Sequence, residues 1–347
     1  MRHRVRFVAP AKRALAAILT CVALCAFGGA HAQVLKTVKD RRHLVYGVSQ
    51  GIAGFSAPQQ NGDWAGFDVD FCRALAAAIF DDPGEVTFVP LSAGDCFTAL
   101  QSGKIDVLSR NSTWTIQREA ELGVVFAGVT YYDGQGFMVR RSRNIGAALD
   151  LGGSKVCVQA GTTTELNLAD YFTANGMKYE AVRAATVEEL LKNYDTGACD
   201  VLTSDASQLY ALRLKLAKPG DHLILADIIS KEPLGPAVRR GDMQWFTIVK
   251  WVNFAMLDAE ELGVSSTTLD AALASGKPDV RRLLGIEGNY GEGIGLTKNW
   301  VARIVRKVGN YGEVFERNVG TKTPLGIPRG INQLWNAGGI LYAPPIR

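Results

Sequence analysis

A seven-residue phrase occurs twice in this chain: Gly103-Lys-Ile-Asp-Val-Leu-Ser109 and Gly197-Ala-Cys-Asp-Val-Leu-Thr203 share G-x-x-D-V-L-[ST]. Each copy follows a helical pattern, and each apolar run ends in polar residues. Around the first copy the chain reads as a strand at 43–48 and then a helix in which Phe67, Phe71, Leu75 and Ala78 recur at helical spacing, with Asp68 placed to cap it. A strand at 86–89, a helix at 96–101 and a strand at 105–108 follow. Around the second copy the order recurs: strand 155–159, helix 162–172, strand 179–183, a helix opened by Thr186 with Glu189 three residues on, and a strand at Val201 and Leu202. Strands alternating with helices predict a parallel sheet covered on both faces. Their repetition predicts two lobes built alike.

The segments 130–136 and 230–236 mix extended residues with Gly or Pro and read as crossovers between the lobes. The chain then leaves lobe one, builds lobe two and returns. Beyond Gly241 the pattern is mostly helical. Trp245, Ile248, Val249, Val252, Met256 and Leu257 share one face of a long helix, and further helices are expected at 269–274, 279–284 and 300–308. The tail from Gly309 is expected to wrap over lobe one.

The first residues stand apart. Arg2, Arg4, Arg6, Lys12 and Arg13 precede an apolar run, Ala14 to Phe27, that falls short of the ~20 residues a spanning helix needs. Ala30-His31-Ala32 offers a small-x-small cleavage site, so 1–32 reads as a secretory signal peptide and Gln33 as the mature start. The whole chain has 38 basic and 34 acidic residues; without those five the balance is 33 to 34. The basic excess belongs to the signal, which leaves no case for nucleic acid. Four of the six cysteines follow the signal: Cys72, Cys96, Cys157 and Cys199. In an oxidising compartment an even number suggests disulfides, with three pairings possible. There is no C-x-x-C, and His43 and His222 are too scattered for a metal site or a catalytic triad.

In open α/β sheets ligands bind beyond the carboxyl ends of the strands. The first phrase leads there to Asn111, Thr113 and Arg118; the second leads to Asp205. Gly161-Thr162-Thr163-Thr164 follows a strand and opens a helix, where backbone N–H groups suit an anion. Arg118 can grip a carboxylate with two parallel bonds. Asp205 can take an ammonium, although by position it is equally a helix cap. Carboxylate donors and one carboxylate acceptor together complement an α-amino acid.

"GFDVDFCRALAAAIF", "GKIDVLSRNSTWTIQRE", "VQAGTTTE", "SKEPLGPAVRRGD", "VGNYGEVFERNVG" and "LYAPP" resemble the periplasmic solute-binding proteins of polar amino-acid ABC transporters (family 3), and within them the general L-amino-acid-binding group. The resemblance covers essentially the whole chain after the signal. It implies a two-lobed, type II periplasmic-binding-protein-like α/β fold with two hinge crossovers and a helical C-terminal extension. The expected parts are lobe one at 33–131, lobe two at 132–235, and at 236–347 the return to lobe one with the extension. It further implies a monomer in the periplasm that captures free L-amino acids and delivers them to inner-membrane permease subunits, with no catalysis, cofactor or metal. Periplasmic dehydratases on the same fold supply the alternative, an enzyme. Carried over by position, Arg118 is similar to the carboxylate-binding arginine, Asn111 and Thr113 sit where backbone and hydroxyl groups meet the ligand, Thr163, with Thr162 beside it, matches the second-lobe carboxylate contact, and Asp205 matches the residue that holds the ammonium. Ile52 and Ala93 stand where binders of basic amino acids carry aromatics, and Asn111 replaces a common serine; a roomier pocket follows. With two lobes that must move, the pairings expected are Cys72–Cys96 and Cys157–Cys199, since the others would tie the lobes together.

Overall fold

The computed structural model describes residues 34–347, together with Met1 and His3. The expected cleavage site, and all of the expected signal peptide but those two residues, lie outside the described residues. No helix among the described residues is long and apolar enough to cross a membrane.

Two five-stranded sheets organise the chain. The first runs in the order Val86–Pro90, Leu44–Val48, Val107–Leu108, Ala237–Arg239, Val124–Phe126; the second runs Glu180–Ala184, Lys155–Gln159, Val201–Asp205, Gln135–Arg140, His222–Ile224. In each, three parallel strands are followed by an antiparallel return strand. The two copies of the repeated phrase occupy the same third place, between a parallel neighbour and that return strand.

The phrase has a physical reason. Gly103 and Gly197 follow helix ends with φ of 77° and 81°, a left-handed turn that glycine enters without strain. The aspartates then fix the entry to the neighbouring strand. Asp106 accepts from the Val45 amide at 2.8 Å and pairs with Arg41; Asp200 accepts from the Lys155 amide at 3.1 Å and pairs with Arg143 at 2.7 Å.

Side chains alternate across the first sheet, with Leu44, Tyr46, Val48 and Val107 on one face and Val45 and Leu108 on the other. Onto the first face pack the helices Phe67–Phe80, Met243–Glu261, Trp300–Lys307 and Tyr311–Asn318. Trp245 is fully buried there and donates its indole N–H to the Asp106 carbonyl at 3.0 Å. The tail joins the same core through Leu325, Ile327, Leu334 and Leu341.

This arrangement overturns one expected disulfide. Cys157 and Cys199 are bonded, across a separation of 42 residues. Cys72 and Cys96 are free, buried thiols. Cys72 lies on the helix Phe67–Phe80 in the core of one face, and Cys96 opens the helix Cys96–Gln101 against the other face. The sheet itself stands between them. Membership of one lobe said nothing about which side of its sheet each helix covers.

The crossovers pair with each other. Tyr131–Asp133 and Glu232–Leu234 form an antiparallel two-stranded ribbon. The tail braces it: the Asn332 amide bonds both the N–H (2.7 Å) and the C=O (2.9 Å) of Tyr132, and the Tyr311 hydroxyl donates to the Thr130 carbonyl at 2.8 Å.

Candidate functional site

Where the two sheets' carboxyl ends approach, a cleft holds about 440 Å³ of space, part of it open to solvent. Asn111, Thr113, Arg118, Thr162, Thr163 and Asp205 all line it, as do Ile52 and Ala93. Thr164, of the Gly161–Thr164 stretch, lines it too; sequence reasoning did not place Arg110, Gln159, Ser204 and Gln208 on its walls. Ser204 and Gln208 flank Asp205 at the strand end and in the next helical turn, so their neighbourhood was the signal.

The polar exit of the first phrase is built step by step. Ser109 donates to the buried Asp68 carboxylate at 2.8 Å. Asp68 therefore does not cap its helix as expected; Gly66 holds the cap position. Burial raises the Asp68 carboxyl to about 6, with the Ser109 bond opposing. Asn111 takes a left-handed backbone, φ 55°. Residues 112–114 then run along the second crossover, with Trp114 N–H donating to Pro233 O at 2.8 Å and Thr113 bridging to Leu234. Thr115 caps the helix Ile116–Glu121 by accepting from the Arg118 amide at 3.3 Å. That short helix carries Arg118, whose Nη1 donates to the Thr113 carbonyl at 2.6 Å while its guanidinium lies 5.0 Å from the Phe97 ring centroid. Burial pulls the Arg118 pKa below its ordinary value, Arg110 pushes the same way, and Cys96, Glu232 and Asp205 oppose. Arg118 forms no ion pair among the described residues.

The second sheet supplies the opposite charge. Asp205 ends its strand and is buried, yet its carboxylate makes no capping bond. The cap comes instead from Asp133 on the first crossover, whose two oxygens lie 3.3 and 3.4 Å from the Ser207 amide. Asp205 is thereby left to the cleft. Burial raises its pKa well above the usual carboxylate value, Asp133 and Glu232 add to this, and Arg118 and Arg110 oppose it. Thr162 caps the helix Thr163–Ala174 and donates to the Gln159 carbonyl at 2.7 Å. Its hydroxyl is thus committed to the backbone, while the first-turn N–H groups remain for an anion.

Glu232, on the second crossover, was not singled out from the sequence. It is buried, and four side chains donate to it: Thr113 and Thr163 (3.0 Å) to Oε2, Asn167 (2.6 Å) and Ser230 (2.8 Å) to Oε1. Thr113 belongs to the first-sheet side of the cleft; Thr163 and Asn167 belong to the second. One carboxylate thus joins both sides at the ribbon.

Comparison with known proteins gives a match over residues 44–264 to the bacterial extracellular solute-binding proteins, family 3. The chain belongs to this family. It is 54% identical over 334 residues to the general L-amino acid-binding periplasmic protein AapJ of Rhizobium johnstonii, a span of 96% of this chain and 98% of that one. It is 50% identical over 329 residues, 94% of this chain and 97% of the other, to the glutamate/glutamine/aspartate/asparagine-binding protein BztA of Rhodobacter capsulatus. Among solved structures, an ABC transporter periplasmic binding protein from Brucella ovis with glutathione bound superimposes with a TM-score of 0.90 at 52% identity, covering 91% of this chain and all of that one. The fold is that of these two-lobed α/β solute-binding proteins, and both relatives and the structural neighbour are named as binding proteins rather than enzymes.

Proposed function

We propose that this chain is the periplasmic component of an ABC importer that captures free L-amino acids, tolerates many side chains, and delivers its ligand to inner-membrane permease subunits. In this reading it acts as a monomer after its signal is removed. Lobe one comprises 33–131 and 236–347, and lobe two 132–235. The observation that carries the reading is the pair Arg118 and Asp205: a cation and an anion on opposite sides of one cleft, with no ion-pair partner of their own among the described residues. An α-amino acid brings the missing partner to each. Thr113 and Thr163, whose hydroxyls are held by Glu232, support the carboxylate with main-chain N–H groups, as does the first turn of the helix Thr163–Ala174; Asn111 meets the ligand through its own backbone. Ile52 and Ala93 leave the side-chain space without aromatics. The names of AapJ and BztA, a general amino-acid binder and a binder of acidic and amide amino acids, are in keeping with this.

Contacts from both lobes favour the closed form, because a ligand shifts that equilibrium only by its difference in affinity for the two states. A thermal-shift screen of the protein against the twenty amino acids tests the reading, since a ligand specific to the folded state raises the melting temperature. Stabilisation by several unrelated amino acids is expected. No shift with any of them, or turnover of an added amino acid, would overturn it.

A further inference from the structure

With Arg118 and Asp205 assigned to the α-groups, one charged side chain in the cleft is left over. Arg110 follows the strand end directly and lines the cleft beside Asn111. Its Nε is buried without a partner, and its side chain forms no hydrogen bond or ion pair among the described residues. Both amide atoms of Asn111 are likewise buried and unpartnered. The anions nearby are already used. Asp68 holds the Ser109 hydroxyl at 2.8 Å behind the strand end and makes no ion pair with Arg110. Glu232 is saturated by four donors. In the amino-acid reading Asp205 faces the ligand ammonium. A guanidinium stays charged in a protein, so Arg110 presents a permanent, unmatched cation to whatever fills the cleft.

Resting on the function proposed above, we propose that Arg110 and Asn111 form a side-chain subsite that takes the carboxylate or carboxamide at the end of the ligand's side chain. A carboxylate matches the guanidinium fork with two parallel N–H···O bonds. A carboxamide presents its oxygen to Arg110 and its NH₂ to Asn111 Oδ1. A lysine or arginine ligand brings a second cation against Arg110. The cleft therefore ranks ligands within its broad tolerance: acidic and amide side chains first, apolar ones next, basic ones last.

Calorimetry with glutamate, glutamine, leucine and lysine tests this on the wild-type protein and on Arg110→Gln. The wild type is expected to bind glutamate at least about tenfold more tightly than lysine, and the variant to lower the glutamate-to-leucine affinity ratio by about tenfold or more. A purely structural role for Arg110 would lower the melting temperature and leave that ratio where it was. Should the variant not fold, the wild-type series still decides: glutamate and glutamine binding no more tightly than leucine overturns the subsite. A ratio unmoved in a folded variant overturns it too. These outcomes differ from failure of the transport reading, in which no amino acid binds at all.

Discussion

Asp133 occupies the capping place that Asp205 would otherwise fill. Its carboxylate takes the Ser207 amide at 3.3 Å from a different strand, and the residue immediately before that helix keeps its own carboxylate free. Removing a cap costs about 1 kcal/mol, whereas removing one partner of a buried charge pair costs about 3–5 kcal/mol. Asp205→Ala is therefore expected to weaken amino-acid binding by roughly two to three powers of ten, and Arg118→Ala similarly. Calorimetry should show the same loss for unrelated amino acids, since in the proposed binding mode both residues meet only the shared backbone. Wild-type affinity in Asp205→Ala would return that residue to a structural role.

Acidity gives a second test. An ammonium needs Asp205 ionised, and burial raises its pKa well above the usual carboxylate value. Affinity should thus fall as pH is lowered through that raised value, and binding near it should release protons. Calorimetry at one pH in two buffers of different ionisation enthalpy reads the release directly. Uptake of protons, or affinity that is flat with pH, would contradict the assignment.

The ligand-free protein should show the opposite slope. Asp68 and Asp133 are pushed up to about 6 and Asp258 to about 7, in each case mainly by burial. Each holds its proton to higher pH when folded than when unfolded, where the value is about 4. Their contribution to stability is full below about pH 4 and is lost as pH rises through 6 and 7. Urea midpoints of Asp258→Asn, compared with wild type at pH 5 and pH 7.5, isolate one of them: the wild type should lose more than the variant over that interval.

Thiol chemistry checks the cysteine assignment. Exported protein denatured without reductant should expose two reactive thiols, from Cys72 and Cys96, and the native protein none, since both are buried. Finding no thiols would restore the second disulfide. Removing the bridge at Cys157–Cys199, which closes a separation of 42 residues, should cost about 4 kcal/mol by the chain-entropy account, read as a lower urea midpoint for the double serine variant.

Glu232→Ala strips the acceptor from four donors, two of them on the second-sheet side and one across from it. Hydrogen bonds to a charged group are worth about 1.5–3 kcal/mol each, so even partial loss should weaken binding tenfold or more for every amino acid. Affinity equal to wild type would mean that the carboxylate joins nothing that closure depends on.

The repeated phrase carried most of the architecture. Glycine and aspartate do local work in it, at a helix end and a strand entry, and local work leaves a mark in the residues themselves. That Arg118, Thr163 and Asp205 line one cleft was legible for the same reason: each sits a fixed step beyond a strand. Glu232 and Asp133 were not. Their partners lie on other elements, Glu232 and Thr113 being 119 residues apart, so no spacing pointed to them. The pairing of Cys72 failed likewise, because which face a helix covers is decided by the whole lobe. Arg110 was in plain view within a polar run; only the absence of partners sets it apart, and that is a property of the folded chain.

The grip of Asn332 on both backbone groups of Tyr132 bears on anyone who would turn this chain into a fluorescent reporter. Trimming it to residues 44–264, the span of the family match, would discard both Asn332 and Tyr311 and leave one rim of the ribbon unclaimed. The reporter would lose that splint together with the helices Trp300–Lys307 and Tyr311–Asn318 that pack on its first sheet. Dyes belong on the halves, and residues 265–347 belong in the design.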